Sequence, residues 1–245
     1  MSRLPVDLLV PAIAWQYRWY EPELGRIAEF VPADRGAVDA GVWWGPWSWQ
    51  LAHRVPRVEA FEPNAELVRR LTPVMPENVT LHNVALSDRT GVSDLWVPSQ
   101  GIGTEGRSSL EVGLLEKQCT SRQVATRRLD DFNLVGIGFV KIDVEGHEFA
   151  VLEGATELLD SQRPTVLIEV EPRSDQPRSL DNVVEFFSER GYRGEYLHRG
   201  AWHPVDVLDR RKVGALAGRV ARQGYATNLL FYARRYVHNF LFTPR

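Results

Sequence analysis

The chain has 245 residues, enough to bury the core of one large α/β domain. Its composition, 44% hydrophobic and 25% charged, is that of an ordinary globular protein, and a net charge of −3 excludes nucleic-acid binding by bulk attraction to phosphate. A single cysteine, Cys119, excludes an internal disulfide framework and suits a reducing compartment.

Residues 1–35 mix aromatic and charged side chains from Trp15 to Tyr20, then place Leu24, Ile27, Ala28 and Phe30 at helical spacing. They are expected to form a helical leader covering a sheet. The apolar run from Leu8 to Ala14 is at the lower limit of about 7 residues for a secretory signal and is interrupted by Asp7 and Pro11. No run approaches the roughly 18 apolar residues of a membrane span. A cytoplasmic protein with no membrane span is expected.

From Gly36 the pattern alternates between strands and helices. Gly36–Gly41 reads as a buried strand ending in a turn, and Gly45-Pro46 opens a helix, where proline suits the first turn. Arg57–Glu62 and Asn78–Val84 read as two further strands, with a helix from Pro63-Asn64 to Leu71 between them. Such alternation indicates βαβ units and a mainly parallel sheet. Between Asp88 and Asp131 the pattern changes: Ser93–Val97 and Gln123–Thr126 look like β segments of an insertion on the sheet's rim. The glycine-rich loop between them, within 98–109, reads as either a flexible connection or a lid.

Alternation resumes at Phe139-Val140-Lys141-Ile142-Asp143-Val144-Glu145-Gly146-His147-Glu148. An apolar strand delivers acids and a histidine to its C-terminal edge, where a helix from Phe149 to Leu159 begins; in open α/β sheets this edge binds ligands. Pro164–Glu171 is the next strand, Leu180–Arg190 a helix ended by Gly191, and Tyr192–Leu197 and 228–233 the last two strands. The division expected is a single domain over 1–245: leader 1–35, Rossmann-like core 36–235, and an aromatic tail 236–245 that lies on the body or on a partner subunit of a homo-oligomer.

The first turn bears on the cofactor. Asp39-Ala40-Gly41-Val42-Trp43-Trp44-Gly45 has the form D-x-G-x-x-x-G, with glycines where the backbone bends sharply. A dinucleotide site needs G-x-G-x-x-G to seat a pyrophosphate on the helix N-terminus. Here Trp43 replaces the second glycine, and the Asp39 carboxylate would repel a pyrophosphate but attract a cation. S-adenosylmethionine carries a sulfonium and an ammonium and no phosphate, so the charge pattern favours it over NAD. Glu62, ending the second strand ~20 residues on, is placed to accept hydrogen bonds from a ribose diol.

Together these segments resemble the FkbM family of S-adenosylmethionine-dependent O-methyltransferases over about residues 36–171. Val140–Glu148 with Val151-Leu152-Glu153-Gly154-Ala155 matches the family's hallmark, and Asn83–Asp88, Ser108-Ser109-Leu110 and Leu167-Ile168-Glu169 also fit. The resemblance implies the class I methyltransferase fold: a seven-stranded, mainly parallel sheet with helices on both faces and its last strand antiparallel. It also implies that Asp39, Gly41, Gly45, Glu62, Pro63, Ala85, Leu86 and Asp143 surround the cofactor. The first turn departs from the family, with Val42, Trp43, Trp44 and Pro46 where small residues and asparagine are usual.

Methyl transfer to a hydroxyl requires alignment of the attacking oxygen and removal of its proton, for which a general base typically contributes 10²–10⁴-fold. His147 is the candidate base, with Asp143 and Glu145 beside it; the alternative is that His147 and Glu148 only open a helix. Asp143 with Glu169 or Glu171 also offers hard oxygen ligands to Mg²⁺. His147-Glu148 does not begin a zinc-protease motif, because Val151 stands where the second histidine belongs.

Six of the eight tryptophans lie within residues 15–49. Indole faces stack on sugars, so Trp43 and Trp44, with Trp15 and Tyr17 from the leader, are candidates to line a mono- or oligosaccharide acceptor site. Trp47 and Trp49 are read as packing the first helix on the sheet. Three alternatives stand beside a sugar O-methyltransferase: O-methylation of a non-sugar natural product, a nicotinamide-dependent oxidoreductase on a similar sheet, and a non-catalytic binding protein with this fold.

Overall fold

The computed structural model describes residues 6–98, 108–110, 119–170, 180–209 and 237–245. Within them an eight-stranded sheet is built from β1 (Gly36–Ala40), β2 (Val58–Phe61), β3 (Val79–His82), β7 (Ile137–Ile142), β8 (Thr165–Glu169), β9 (Tyr192–His198), β10 (Ala201–Pro204) and β11 (Asn239–Pro244). Their order is β10-β9-β11-β8-β7-β1-β2-β3. The five strands from β3 to β8 run parallel, whereas β11 is antiparallel to β8 and to β9, and β10 is antiparallel to β9. The sheet is therefore mixed and has eight strands, not seven: the turn at Arg199-Gly200, both at positive φ, folds β10 back on β9 as an added edge.

A second sheet, β4-β6-β5, joins β4 (Ala85–Leu86), β5 (Gly91–Pro98) and β6 (Cys119–Arg127). Most of the loop 98–109 lies outside the described residues, but its end is anchored: Ser109 is buried and bridges Trp96.

Alternation along each strand sorts the core into two layers. Val38, Ala40, Val140, Ile142, Val166, Ile168, Phe240 and Phe242 share one cluster with residues of α4 (Glu148–Glu153), α5 (Thr156–Gln162) and α6 (Leu180–Glu189). Ala37, Phe139, Leu167 and Leu241 point the other way and share a cluster with Val10 of α1 (Val6–Tyr20), with Leu24 and Ile27 of a 3₁₀ helix (Pro22–Glu29), and with Trp47 and Leu51 of α2 (Pro46–Ala52). Between β2 and β3, α3 (Ala65–Leu71) is capped by Asn64, whose side chain accepts from Glu66 N. Among the described residues no helix is long and apolar enough to cross a membrane.

Two expectations change here. The helix expected from Phe149 to Leu159 is broken into α4 and α5. Gly154 has no room for a side chain, since a Cβ there would lie 2.0 Å from Ser87 O. Asp130, beyond the break, caps the second piece by accepting from Glu157 N and Leu158 N at 3.2 and 3.0 Å. The second change concerns the C-terminus. The last strand of the sheet is Asn239–Pro244, inserted between β8 and β9 with Phe240, Leu241 and Phe242 buried. Those side chains are core, not a tail laid on the body or on a partner; residues 228–233 lie outside the described residues.

Phe242 stacks on Phe187 with ring centroids 4.1 Å apart. Phe242→Ala should therefore destabilise the fold by about 3–5 kcal/mol, the usual cost of emptying a buried phenylalanine site. Urea unfolding measures this, and a loss below about 1 kcal/mol would contradict an internal C-terminal strand.

Candidate active site

The chain proceeds outward from β1 to β2 and β3 on one side, and from β7 to β8 on the other. The order thus reverses between β1 and β7, the switch point at whose C-terminal ends open α/β sheets place their ligand crevice. The two ends are in direct contact: Asp143 N donates to Ala40 O at 2.9 Å. A Cβ on Gly41, at φ +91°, would lie 1.7 Å from Asp143 O, so glycine is required there by the meeting of the strands.

The first turn is organised by Glu62. Its carboxylate accepts from Trp43 N at 3.0 Å and Asn64 N at 2.9 Å. The first of these bonds holds Trp43 at φ +50°, uncommon for a non-glycine residue, and Gly45 follows at φ +80°. Burial raises the pKa of Glu62 to about 7, against the pull of those N–H donors. Asn83 ties the neighbouring chain down by donating to the carbonyls of Glu62 and Pro63, both at 3.0 Å. Ala85 and Leu86 are buried as β4.

Asp39 lies beneath this turn rather than facing outward. It is 1% exposed, accepts the Ser48 hydroxyl at 2.5 Å, and leaves Oδ1 without a hydrogen bond among the described residues. Burial raises its pKa to about 7, with the Ser48 bond and Lys141 opposing.

The tryptophans divide. Tyr17 of the leader packs on Trp43 with ring centroids 5.6 Å apart, and Trp44 is half-buried against the same core. Trp15, two residues before Tyr17 and so on the other side of α1, is 64% exposed. Trp47 is core, stacked on Phe139 and donating from Nε1 to Glu21 at 2.8 Å.

Behind the crevice lies a buried polar cluster. Asp39, Lys141, Glu169 and Asn239 continue the sheet face that begins with Ala37, Phe139, Leu167 and Leu241, one side-chain repeat nearer the strand ends, and Asp143 follows Lys141 by one repeat more. Lys141 is fully buried. It donates to Asn239 Oδ1 at 3.1 Å and lies 3.6 Å from Asp143 Oδ2. Burial alone would lower its pKa, but the carboxylates of Asp143, Glu21, Glu169 and Asp39 outweigh it and raise the value, keeping the ammonium charged. Burial also raises the pKa of Asp143, although Lys141 opposes the rise, and a hydrogen bond joins Asp143 to Glu169. Glu169 is pushed well above the usual carboxylate range, by burial first and then by the Asp143 charge. Burial thus pushes both carboxyls of the pair the same way, upward, with Lys141 opposing.

His147 stands before α4, with Nε2 2.9 Å from Ser87 Oγ. Ser87 Oγ also donates to Asp88 Oδ1 at 3.0 Å. A hydroxyl has one hydrogen, so Nε2–H of His147 is the donor to Ser87 and Nδ1 is the basic nitrogen of that tautomer. The turn before it is strained, with Glu145 at φ +52° and Gly146 at φ +97°. Ser109 Oγ clamps it by donating to Glu145 O at 2.6 Å, and Gly146 N donates to Glu148 Oε1 at 2.8 Å.

Sequence reasoning missed Glu21, His238 and Asn239, which reach this cluster from the leader and the last strand. No motif marks them. Lys141 did carry a signal: a lysine inside an otherwise apolar strand needs buried partners.

The family description "Methyltransferase FkbM domain" matches residues 36–193, and the chain belongs to that family. In structure the chain is similar to the methyltransferase FkbM from Methylobacillus flagellatus KT, with a TM-score of 0.51 and 17% identity. That match covers 86% of this chain but only 44% of the other, so the chain spans less than half of that protein's length. Other matches are precorrin-6y C5,15-methyltransferase from Geobacter metallireducens GS-15 (TM-score 0.47, 15% identity, 92% of this chain and 87% of that one) and an rRNA methylase from Streptococcus thermophilus (TM-score 0.45, 13% identity, 100% and 99%). No curated protein matches the chain in sequence. The likeness to the Methylobacillus protein is one of fold, the α/β methyltransferase architecture.

The buried acids give stability a pH dependence whose sign follows from their raised pKa values. Asp39 binds its proton up to about pH 7 when folded but only to about 3.8 when unfolded, so deprotonation of the unfolded chain costs stability progressively between those values. The ligand-free protein should be more stable at pH 5 than at pH 8. Asp39→Asn should make that decline shallower by on the order of 1 kcal/mol or more. Denaturant titrations at both pH values test this; an equal or steeper decline in the variant would overturn the assignment.

Proposed function

We propose that this FkbM-family chain is an S-adenosylmethionine-dependent O-methyltransferase acting on a hydroxyl of a sugar or glycoside, with His147 as the general base. One observation carries the proposal. At a single strand edge, a carboxylate-lined turn without lysine or arginine (residues 39–49) stands with an imidazole whose tautomer is set by Ser87. The donor set fits the cofactor. Glu62, at the end of β2, has acceptor capacity for ribose hydroxyls beyond its two N–H bonds. Asp39 and Asp143 add negative potential behind the turn, which suits a cationic ligand and disfavours a pyrophosphate. When bound, S-adenosylmethionine supplies the electrophilic methyl group of its sulfonium.

The chain's own residues then have separable tasks. Gly41, Gly45, Glu62 and Pro63 shape the cofactor side, with Ala85 and Leu86 closing it from β4. Trp43 and Tyr17, in ring contact, offer an aromatic wall for a saccharide face, which supports a sugar acceptor over a nucleic acid or protein. Trp44 extends that wall. His147 Nδ1 takes the acceptor's hydroxyl proton, while Ser87 and Asp88 hold the ring by its other nitrogen. Glu145 and Asp143 border the acceptor side, and the Lys141 ammonium beside Asp143 offsets its charge. A Mg²⁺ ion on Asp143 and Glu169 would have to compete with the Lys141 ammonium, 3.6 Å from Asp143 Oδ2, so proton transfer to His147 is proposed without it.

His147→Ala should lower kcat by at least ~10²-fold while leaving the Kd for S-adenosylmethionine nearly unchanged. Labelled methyl transfer to a panel of sugars and glycosides, read by product mass, supplies the assay. Turnover in the variant equal to that of the natural chain would remove His147 from the mechanism. Transfer only to non-sugar hydroxyls would replace the acceptor class.

A further inference from the structure

We propose that Glu21, Glu169 and His238 form a site for a divalent first-row transition metal. The site shares Glu169 with the Asp143–Glu169 pairing but draws its other two ligands from elsewhere, and it is independent of which acceptor is methylated. One carboxylate oxygen from each glutamate and one ring nitrogen of His238 lie within 4.8 Å of one another. Metal–ligand bonds of ~2.0–2.2 Å bring such atoms to ~3–4 Å apart, a contraction that side-chain torsions can supply.

A second observation points to a ligand. Glu21 is fully buried, and its Oε2 accepts from Trp47 Nε1 at 2.8 Å and Asn239 Nδ2 at 3.2 Å, whereas Oε1 has no hydrogen-bond partner among the described residues. A carboxylate fixed through one oxygen and left open at the other is the arrangement a metal ligand takes from its surroundings. Asn239 is itself held by Lys141, so the support reaches into the sheet.

Charge argues the same way. The carboxylates of Glu21, Asp39, Asp143 and Glu169 all act on one buried cation, Lys141. Buried charges are ordinarily paired or coordinated to metal. An imidazole with two carboxylates selects Zn²⁺, Mn²⁺ or Co²⁺ over Mg²⁺ and Ca²⁺, which favour oxygen ligands alone. Three protein ligands leave a coordination position open. The three come from the residue after α1, from β8 and from the residue before β11, so the ion would tie together segments far apart in the chain.

Co²⁺ is the probe, because its visible absorption reports coordination directly and requires no turnover. The full chain, stripped with chelator and dialysed, should bind one Co²⁺ per chain and unfold at a higher temperature with it. Glu21→Gln and His238→Gln, near in size to the residues they replace, should each weaken Co²⁺ binding at least tenfold, with circular dichroism confirming that they fold. Mg²⁺ in tenfold excess should not displace the ion. Absence of Co²⁺ binding, binding unaffected in both folded variants, or displacement by Mg²⁺ would each overturn the site. Because the readout is spectral, its failure leaves the methyl-transfer reading untouched, and loss of methyl transfer leaves the metal site standing.

Discussion

A lysine ammonium buried in the centre of the sheet is the constraint that the rest of this structure accommodates. Lys141 occupies a strand position whose neighbours are apolar, and an unpaired charge there would cost several kcal/mol. Each layer of the fold contributes a partner. Asp39 comes from β1, Asp143 from the end of β7 just beyond Lys141 itself, Glu169 from β8, Asn239 from β11 and Glu21 from the leader. Satisfying one cation therefore requires the leader, the parallel strands and the C-terminal strand to be in place together. The same requirement puts the polar groups at the strand edge, where the ligand crevice opens. Fold and site are joined through that lysine.

Much of the sheet is legible in the sequence because its parallel strands are short apolar runs punctuated by turn residues. Gly36–Ala40, Val58–Phe61 and Val79–His82 each lie within the run expected of them, and Ile137–Ile142 begins two residues before the run expected from Phe139. The resemblance carried by Val140–Glu148 led to the family that residues 36–193 match. The C-terminal strand was not legible as a strand of the sheet. Asn239-Phe240-Leu241-Phe242 is a short apolar run at the chain's end, and its insertion between β8 and β9 is a long-range pairing that no local pattern encodes. Gly154 could be read as part of a helix because its reason for being glycine, the carbonyl of Ser87, is distant in sequence.

The site divides in the same way. Glu62, Gly41 and His147 could be singled out because turn chemistry and strand ends mark positions that local rules describe. Glu21 and His238 could not, since a glutamate after a helix and a histidine before a strand carry no signal until the fold brings them together. Asp39 shows the limit from the other side: it is visible as an acid at a turn, yet the structure sinks it beneath that turn on Ser48. Trp43 joins both groups, held at positive φ by Glu62 and placed against Tyr17 of the leader.

The claim on which this account rests is that the carboxylate-lined turn selects a phosphate-free, cationic cofactor. Calorimetric titration of the chain with S-adenosylmethionine and with NAD tests it most directly. The chain should bind one S-adenosylmethionine, with an affinity at least tenfold weaker in Glu62→Gln, the loss expected when a hydrogen bond to a charged acceptor is weakened, and should show no measurable binding of NAD. Tight binding of NAD with none of S-adenosylmethionine would contradict it.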